Sequence, residues 1–327
     1  MRLALYRSGL LMLLIGLALS ACRNDEYSHP VSAGKPTQQG AKDTSFRYVA
    51  LGDGFTSGPF IPVQSLSPPA PGCMRSDRNY PSLLAGAIQS KQFIDVSCYG
   101  ANTTNLTEKQ EAMGAPVGGV NPPQLDALTK DVNLVTIGMM GPGLDFAGIA
   151  IDCGMSSIAD STGSPCRSKK VVDGKDPVLA TAIAGAQAIG PAVEAIRKRA
   201  PNARILVVGY AALLPENTGG QTGAPRCWPL LPFADGDVAW LSSVVRAINT
   251  TLAETAAAHG AEYVDIYSSS IGHDACQLPG IKWTEGALQT CSCSHLAYNE
   301  LGMQNAALQV LNKLEWKGQR PAWIPLP

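Results

Sequence analysis

An α/β domain, with a five-stranded parallel sheet between two layers of helices, is predicted by two features of the sequence. Five short apolar, β-branched stretches recur along the chain, at residues 46–51, 93–98, 134–139, 205–210 and 263–267. Helical patterns separate them, and strand–helix alternation of this kind builds a parallel sheet covered on both faces. Crossovers should be right-handed, and a ligand should bind outside the carboxyl ends of the strands, here the first three.

Each element has its own signal. The first strand runs into GDG, a tight strand-to-helix turn. A helix over 80–88 precedes the second strand, and a short helix over 123–128 precedes the third. A longer one over 182–199 ends in RKRA, where cations suit a helix C-terminus. The helix predicted over 240–259 stops at His259-Gly260, and a last helix spans 296–317. Three connections, 59–78, 141–176 and 213–237, are rich in Gly, Pro and Ser. Their length marks them as functional covers or disulfide-pinned insertions.

Composition narrows the function. The chain has 327 residues, and its net charge of −1 offers no basic stripe for nucleic acid. Arg2 and Arg7 precede an apolar run over 10–19, too short for an ordinary membrane span and flanked like an export signal. Residues 23–45 are polar and read as a flexible tether. Nine cysteines less Cys22 leave eight, an even number that favours disulfides in an exported chain. Cys73 with Cys98 and Cys153 with Cys166 make plausible local loops, while the pairing among Cys227, Cys276, Cys291 and Cys293 stays open. Cys291-Ser292-Cys293 looks like half a metal site, but no second cluster has zinc-like spacing, so neither metal nor cofactor is expected.

The run LSAC ending at Cys22 resembles a bacterial lipobox. It implies a signal peptide over 1–21, a diacylated Cys22, a tether over 22–45 and a folded domain over 46–327, held outside the cytoplasm at the cell envelope. Four further blocks carry a family resemblance: YVALGDGFTSG, DVSCYGANTT, LVTIGMMGPGLDF and CSCSHLAYNELGM. Their order resembles the SGNH or GDSL hydrolases, whose fold is a flavodoxin-like αβα sandwich. GCMRSDRNYPSLLA, with Asp77, Asn79 and Tyr80, and SIGHDAC, with His273, are similar to an exported actinobacterial branch of that family.

The resemblance implies a serine that attacks an ester carbonyl and a histidine that takes its proton. A glycine and an asparagine help hold the oxyanion, and an acid three residues before the histidine orients the ring. A hydroxyl needs such a base, and the tetrahedral intermediate needs donors aimed at its oxygen. Here Gly54 stands at the serine position, Gly100 matches the glycine and His295 the histidine. Pro142 takes the asparagine position, Gly143 the aspartate after it, Ser292 the acid position, and Leu296 a proline position. Proline has no N–H and no side-chain donor. Thr56 and Ser57 follow Gly54 closely, but a helix after the turn would rotate both away.

The expectation is therefore a hydrolase-fold lipoprotein with impaired ester hydrolysis that keeps a cleft for a small acyl, ester or glycan-linked ligand. Two alternatives remain open: a working carboxylesterase or lipase using His295 and an unrecognised nucleophile, and a non-enzymatic envelope binding or scaffold protein.

Overall fold

In the computed structural model the sheet comprises five parallel strands: β1 (Arg47–Gly52), β2 (Gln92–Asp95), β5 (Leu134–Gly138), β6 (Arg204–Val208) and β7 (Glu262–Val264). Residues 46–65, 71–112, 119–216, 227–229, 231–287, 289–319 and 321–323 are described. The expected signal peptide, Cys22 and the tether lie outside them. The strand order is β2-β1-β5-β6-β7. Register is continuous, with Tyr48 opposite both Phe93 and Leu134, and Leu134 opposite Arg204. A small antiparallel pair, β3 (Gln110–Glu111) and β4 (Val120–Asn121), lies apart from this sheet.

Side chains alternate between two cores, as the period of two requires. Val49, Leu51, Val135, Ile137, Ile205 and Val207 enter one core. It is closed by α5 (Pro177–Gln187), α6 (Ile189–Arg199) and α7 (Asp235–Ala258), through residues such as Ala182, Val193 and Ile248. Tyr48, Ala50, Leu134, Leu206 and Val208 enter the other. There α2 (Tyr80–Ala87) and α8 (Glu300–Lys313) supply Leu84, Met303, Ala307 and Val310. The result is the expected α/β sandwich of three layers.

The departures have local causes. The helix expected over 182–199 is two helices meeting at Ala188. Pro191 follows the junction and cannot donate to the carbonyl four residues back. The last helix starts at Glu300 because Asn299 caps it, accepting from the Gly302 N–H at 3.1 Å. The connection over 141–176 holds two unforeseen helices, α3 (Phe146–Ser157) and α4 (Pro165–Lys170). Disulfides join Cys73 to Cys98, Cys153 to Cys166, Cys227 to Cys276, and Cys291 to Cys293. The second ties α4 to α3. These four bonds suit a chain exported to an oxidising compartment.

One buried side chain fixes the end of β1 where the site begins. Gln124 is fully buried, accepts from the Gly52 N–H at 2.9 Å and donates to the Gly52 carbonyl at 2.9 Å. Gln124→Leu leaves the Gly52 N–H without a partner, while the Gly52 carbonyl keeps its bond from the Cys98 N–H, and is expected to lower stability by about 1–3 kcal/mol. Urea denaturation of the two chains would check this.

Candidate active site

Three strand ends meet around one cavity. After β1 the chain turns at Asp53 into a one-turn helix, α1 (Gly54–Ser57). Asp53 caps it, its Oδ1 accepting from the Phe55 N–H at 2.8 Å. Its Oδ2 accepts from the Tyr210 hydroxyl at 2.7 Å, just beyond β6. The Asp53 N–H donates to the Gly138 carbonyl at 3.0 Å, and the Thr56 hydroxyl donates to the same oxygen at 2.9 Å. The turn is thus bonded on three sides with no side-chain contribution from residue 54.

Beyond β2, Gly100 has φ 79°, a left-handed conformation that glycine takes without steric cost. The Cys73–Cys98 disulfide and the bond from the Tyr99 N–H to the Cys73 carbonyl, 3.0 Å, hold this turn beside α1. Beyond β5, the Thr103 N–H donates to the Met140 carbonyl at 2.9 Å and joins the second and third loops. The N–H groups of Gly54 and Gly100 have no acceptor among the described residues.

Gly54, Gly100, Pro142 and His295 all line a cavity of about 960 Å³. Its remaining wall is chiefly apolar and includes Leu144, Phe146, Ala150, Ile151, Leu231 and Phe233. Phe55 packs edge-on to Phe146 and Tyr210. Thr56 and Ser57 are buried and do not line the cavity.

Residue 54 has a neighbour that sequence inspection missed. A Cβ built on Gly54 would stand 2.9 Å from Cδ2 of Tyr99. Carbon atoms in contact sit about 3.5–4.0 Å apart. The Tyr99 ring therefore crowds the space a serine side chain would need. No signal in the linear sequence announces this contact, because it depends on two turns at the ends of different strands.

His295 is exposed at the cavity wall and makes no hydrogen bond to a described residue. Ser292 is exposed, does not line the cavity and makes no bond to His295. Leu296 has φ 52°, so this backbone could not accept the proline usual in the family, whose φ is held near −65°. The loop is anchored by a buried ion pair, Lys282 Nζ to Glu285 Oε2 at 2.6 Å. Glu285 also accepts from the Thr290 N–H and from Asn299 Nδ2. Burial alone would raise the Glu285 pKa, but Lys282 and these donors outweigh it and hold it low.

Cys291 and Cys293, whose spacing looks like half a metal site, are joined to each other in a disulfide and have no thiolates to offer. His273 lies elsewhere, stacked on Trp283 with ring centroids 3.7 Å apart. Asn79 caps α2 and donates to Asp95 at 2.7 Å, while Asp77 accepts from the Val63 N–H. The Asp77 bond ties position 63 to position 77.

Comparison with known proteins decides the family. Residues 50–295 match the GDSL-like Lipase/Acylhydrolase family. The chain belongs to that family. This GDSL-like chain is 33% identical over 273 residues to Lipase 2 of Streptomyces coelicolor, covering 82% of itself and 85% of the relative. It is 30% identical over 256 residues to an esterase of Streptomyces scabiei, covering 70% and 72%. Among solved structures, it is similar in fold to phospholipase A1 from Streptomyces albidoflavus. The TM-score is 0.62 at 24% identity, covering 82% of this chain and 98% of that one.

The GDSL-like turn has a measurable electrostatic signature. Burial pushes the Asp53 carboxyl up from 3.8 to about 6, against the opposing effect of the Tyr210 and backbone hydrogen bonds. The folded chain thus holds a proton that the unfolded chain releases. That stabilisation is full below about pH 4 and is lost as pH rises through about 6. Asp53→Asn should gain on the parent chain over this window, by at most about 3 kcal/mol. Melting curves at several pH values would show the gap widening from pH 4 to 7, and a constant gap contradicts the assignment.

Proposed function

We propose that this chain is an exported, lipid-anchored member of the GDSL-like lipase/acylhydrolase family that binds an acyl ligand in its cavity and hydrolyses esters weakly or not at all. One observation carries the reading. The serine position is Gly54, and the Tyr99 ring crowds the volume a serine side chain would need. Pro142 and Ser292, at the expected asparagine and acid positions, point the same way.

The apolar wall suits a hydrocarbon chain, and the two unpartnered N–H groups of Gly54 and Gly100 suit a carboxylate, ester or acylated-glycan oxygen at its end. Diacylation of Cys22 would hold the domain at the envelope by the 22–45 tether. Mass spectrometry of the mature N-terminus checks that part.

The functional test measures hydrolysis of short and medium p-nitrophenyl esters together with thermal shift by fatty acids and acylated sugars. Background turnover with ligand-dependent stabilisation supports binding without chemistry. A working esterase is the second reading, favoured by His295 standing in the same cavity as Gly54. Turnover by the unmodified chain that vanishes in His295→Ala would establish it. Absence of both turnover and stabilisation would favour the scaffold alternative.

A further inference from the structure

The Gly100 N–H sits on a turn whose central peptide has two allowed settings. The Ala101 N–H donates to the Cys98 carbonyl at 3.0 Å, which closes a turn over 98–101. Gly100, third in that turn, has φ 79°, and Tyr99 before it is not among the residues of positive φ. This combination marks a type II turn, whose third residue sits near φ +80°. A type I turn joins the same ends with its central peptide reversed and its third residue near −90°. Glycine takes either value without steric cost, so residue 100 does not itself choose.

The choice matters for the site. The central peptide consists of the Tyr99 carbonyl and the Gly100 N–H. It is trans, so the two groups point in opposite directions. The carbonyl accepts from Gln110 Nε2 at 2.9 Å, and Gln110 is buried outside the cavity wall that Gly100 lines. The N–H therefore points away from Gln110. Among the described residues nothing else bonds to either group of this peptide. The other anchors of the turn all precede it: the Cys73–Cys98 disulfide, the Cys98 N–H on Gly52 and the Tyr99 N–H on Cys73. Reversal changes ψ of Tyr99 and φ of Gly100 and leaves those bonds in place. It would also put a carbonyl where the site now offers a donor, and so repel a ligand oxygen. Gln110 itself is held, since it stands opposite Asn121 in the β3–β4 pair, and Asn121 Nδ2 donates to the Val96 carbonyl at 3.3 Å.

We propose that Gln110 is a positioning residue of the cavity: its bond to the Tyr99 carbonyl holds the Tyr99–Gly100 peptide in the setting that aims the Gly100 N–H at a ligand oxygen. The proposal rests on the acyl-ligand reading above and names the side chain that sets one of its two donors. A carbonyl can only accept, so the Gln110 nitrogen must face Tyr99, and only a donor at residue 110 favours this setting over its reverse.

The test removes the donor and reads the turn directly. Gln110→Met keeps an unbranched side chain and has no N–H to give, and Gln110→Leu takes its place if that variant does not fold. NMR of the full chain, labelled with 13C and 15N, reports the peptide without any ligand. In the parent the Gly100 N–H should show a strong NOE to Tyr99 Hα, as the type II setting requires. In the variant that NOE should weaken and one to the Tyr99 N–H should grow, as the peptide reverses. Binding of octanoate, which carries a carboxylate, is measured beside pentylbenzene, which carries no oxygen. The variant should bind octanoate at least about tenfold more weakly and pentylbenzene as before, because a hydrogen bond to a charged group is lost while the apolar wall stays.

Three results overturn the proposal. One is an unchanged NOE pattern in the variant. Another is equal weakening of both ligands, which would mean that Gln110 supports the cavity as a whole. The third is a reversed peptide with octanoate binding intact. If the parent binds neither ligand, the acyl-ligand reading fails, and the NOE pattern still decides whether Gln110 sets the peptide.

Discussion

Gly54→Ser alone is expected to leave ester hydrolysis at background, whereas Gly54→Ser combined with Tyr99→Ala should raise it well above. The reason is steric. The new Cβ would lie 2.9 Å from Tyr99 Cδ2, and the crowded ring would turn the hydroxyl from a productive rotamer or block the substrate carbonyl. Removing the ring frees the space while the backbone turn stays, because Asp53, Gly138 and Thr56 hold it. Loss of the nucleophile in a serine protease costs about 10⁶ in turnover, so its return should be visible even in an imperfect site. A missing oxyanion donor costs about 10²–10³, so adding Pro142→Asn should raise the rate again if the loop keeps its path. Initial rates with p-nitrophenyl butyrate decide the matter, with His295→Ala in the active variant as control. If Gly54→Ser matches the double variant, Tyr99 does not obstruct the site.

The second large effect concerns stability. Lys282→Met should lower it by about 3–5 kcal/mol, because it strands the buried Glu285 carboxylate without its countercharge. For a domain of this size that corresponds to a fall in Tm of about 10 °C. Lys282→Met with Glu285→Met should lose much less, since no buried charge remains. Thermal melts of the single and double variants provide the comparison, and equal losses would show that packing outweighs charge here. The ion pair also braces the segment that carries His295: the Glu285 N–H donates to the Ala297 carbonyl, and its side chain holds Thr290 and Asn299.

Most of the sheet was legible because its signal is redundant. Strands β1, β5 and β6 are apolar runs buried along nearly their whole length, whereas the edge strands β2 and β7 are only partly buried and stand out by their place in the strand–helix alternation. The strand over 93–98 stops at Asp95 in the sheet proper, yet the Val96 and Cys98 N–H groups still donate to Ala50 and Gly52. Helix α3 was hidden for the opposite reason. Its outward face bears Ile151 and Met155, so apolar residues surround the helix and no amphipathic period stands out. Gly54, Gly100, Pro142 and His295 were placed by block order, and the structure brings them to one cavity. Tyr99 was passed over because it flanks Gly100 in sequence and acts on Gly54 only through the fold. Gln124, Lys282 and Glu285 were missed as well: a buried polar residue looks like a surface one until its partners are known.

The turn at Asp53 carries a practical consequence. Its cap and its three anchoring bonds keep the motif's shape with no hydroxyl at residue 54. On the proposed reading, fluorophosphonate reagents, which report serine hydrolases by capturing an activated hydroxyl, are expected to pass over this chain in a proteome. An inventory built on such labelling would then omit it, while one built on motif shape would count it as an esterase.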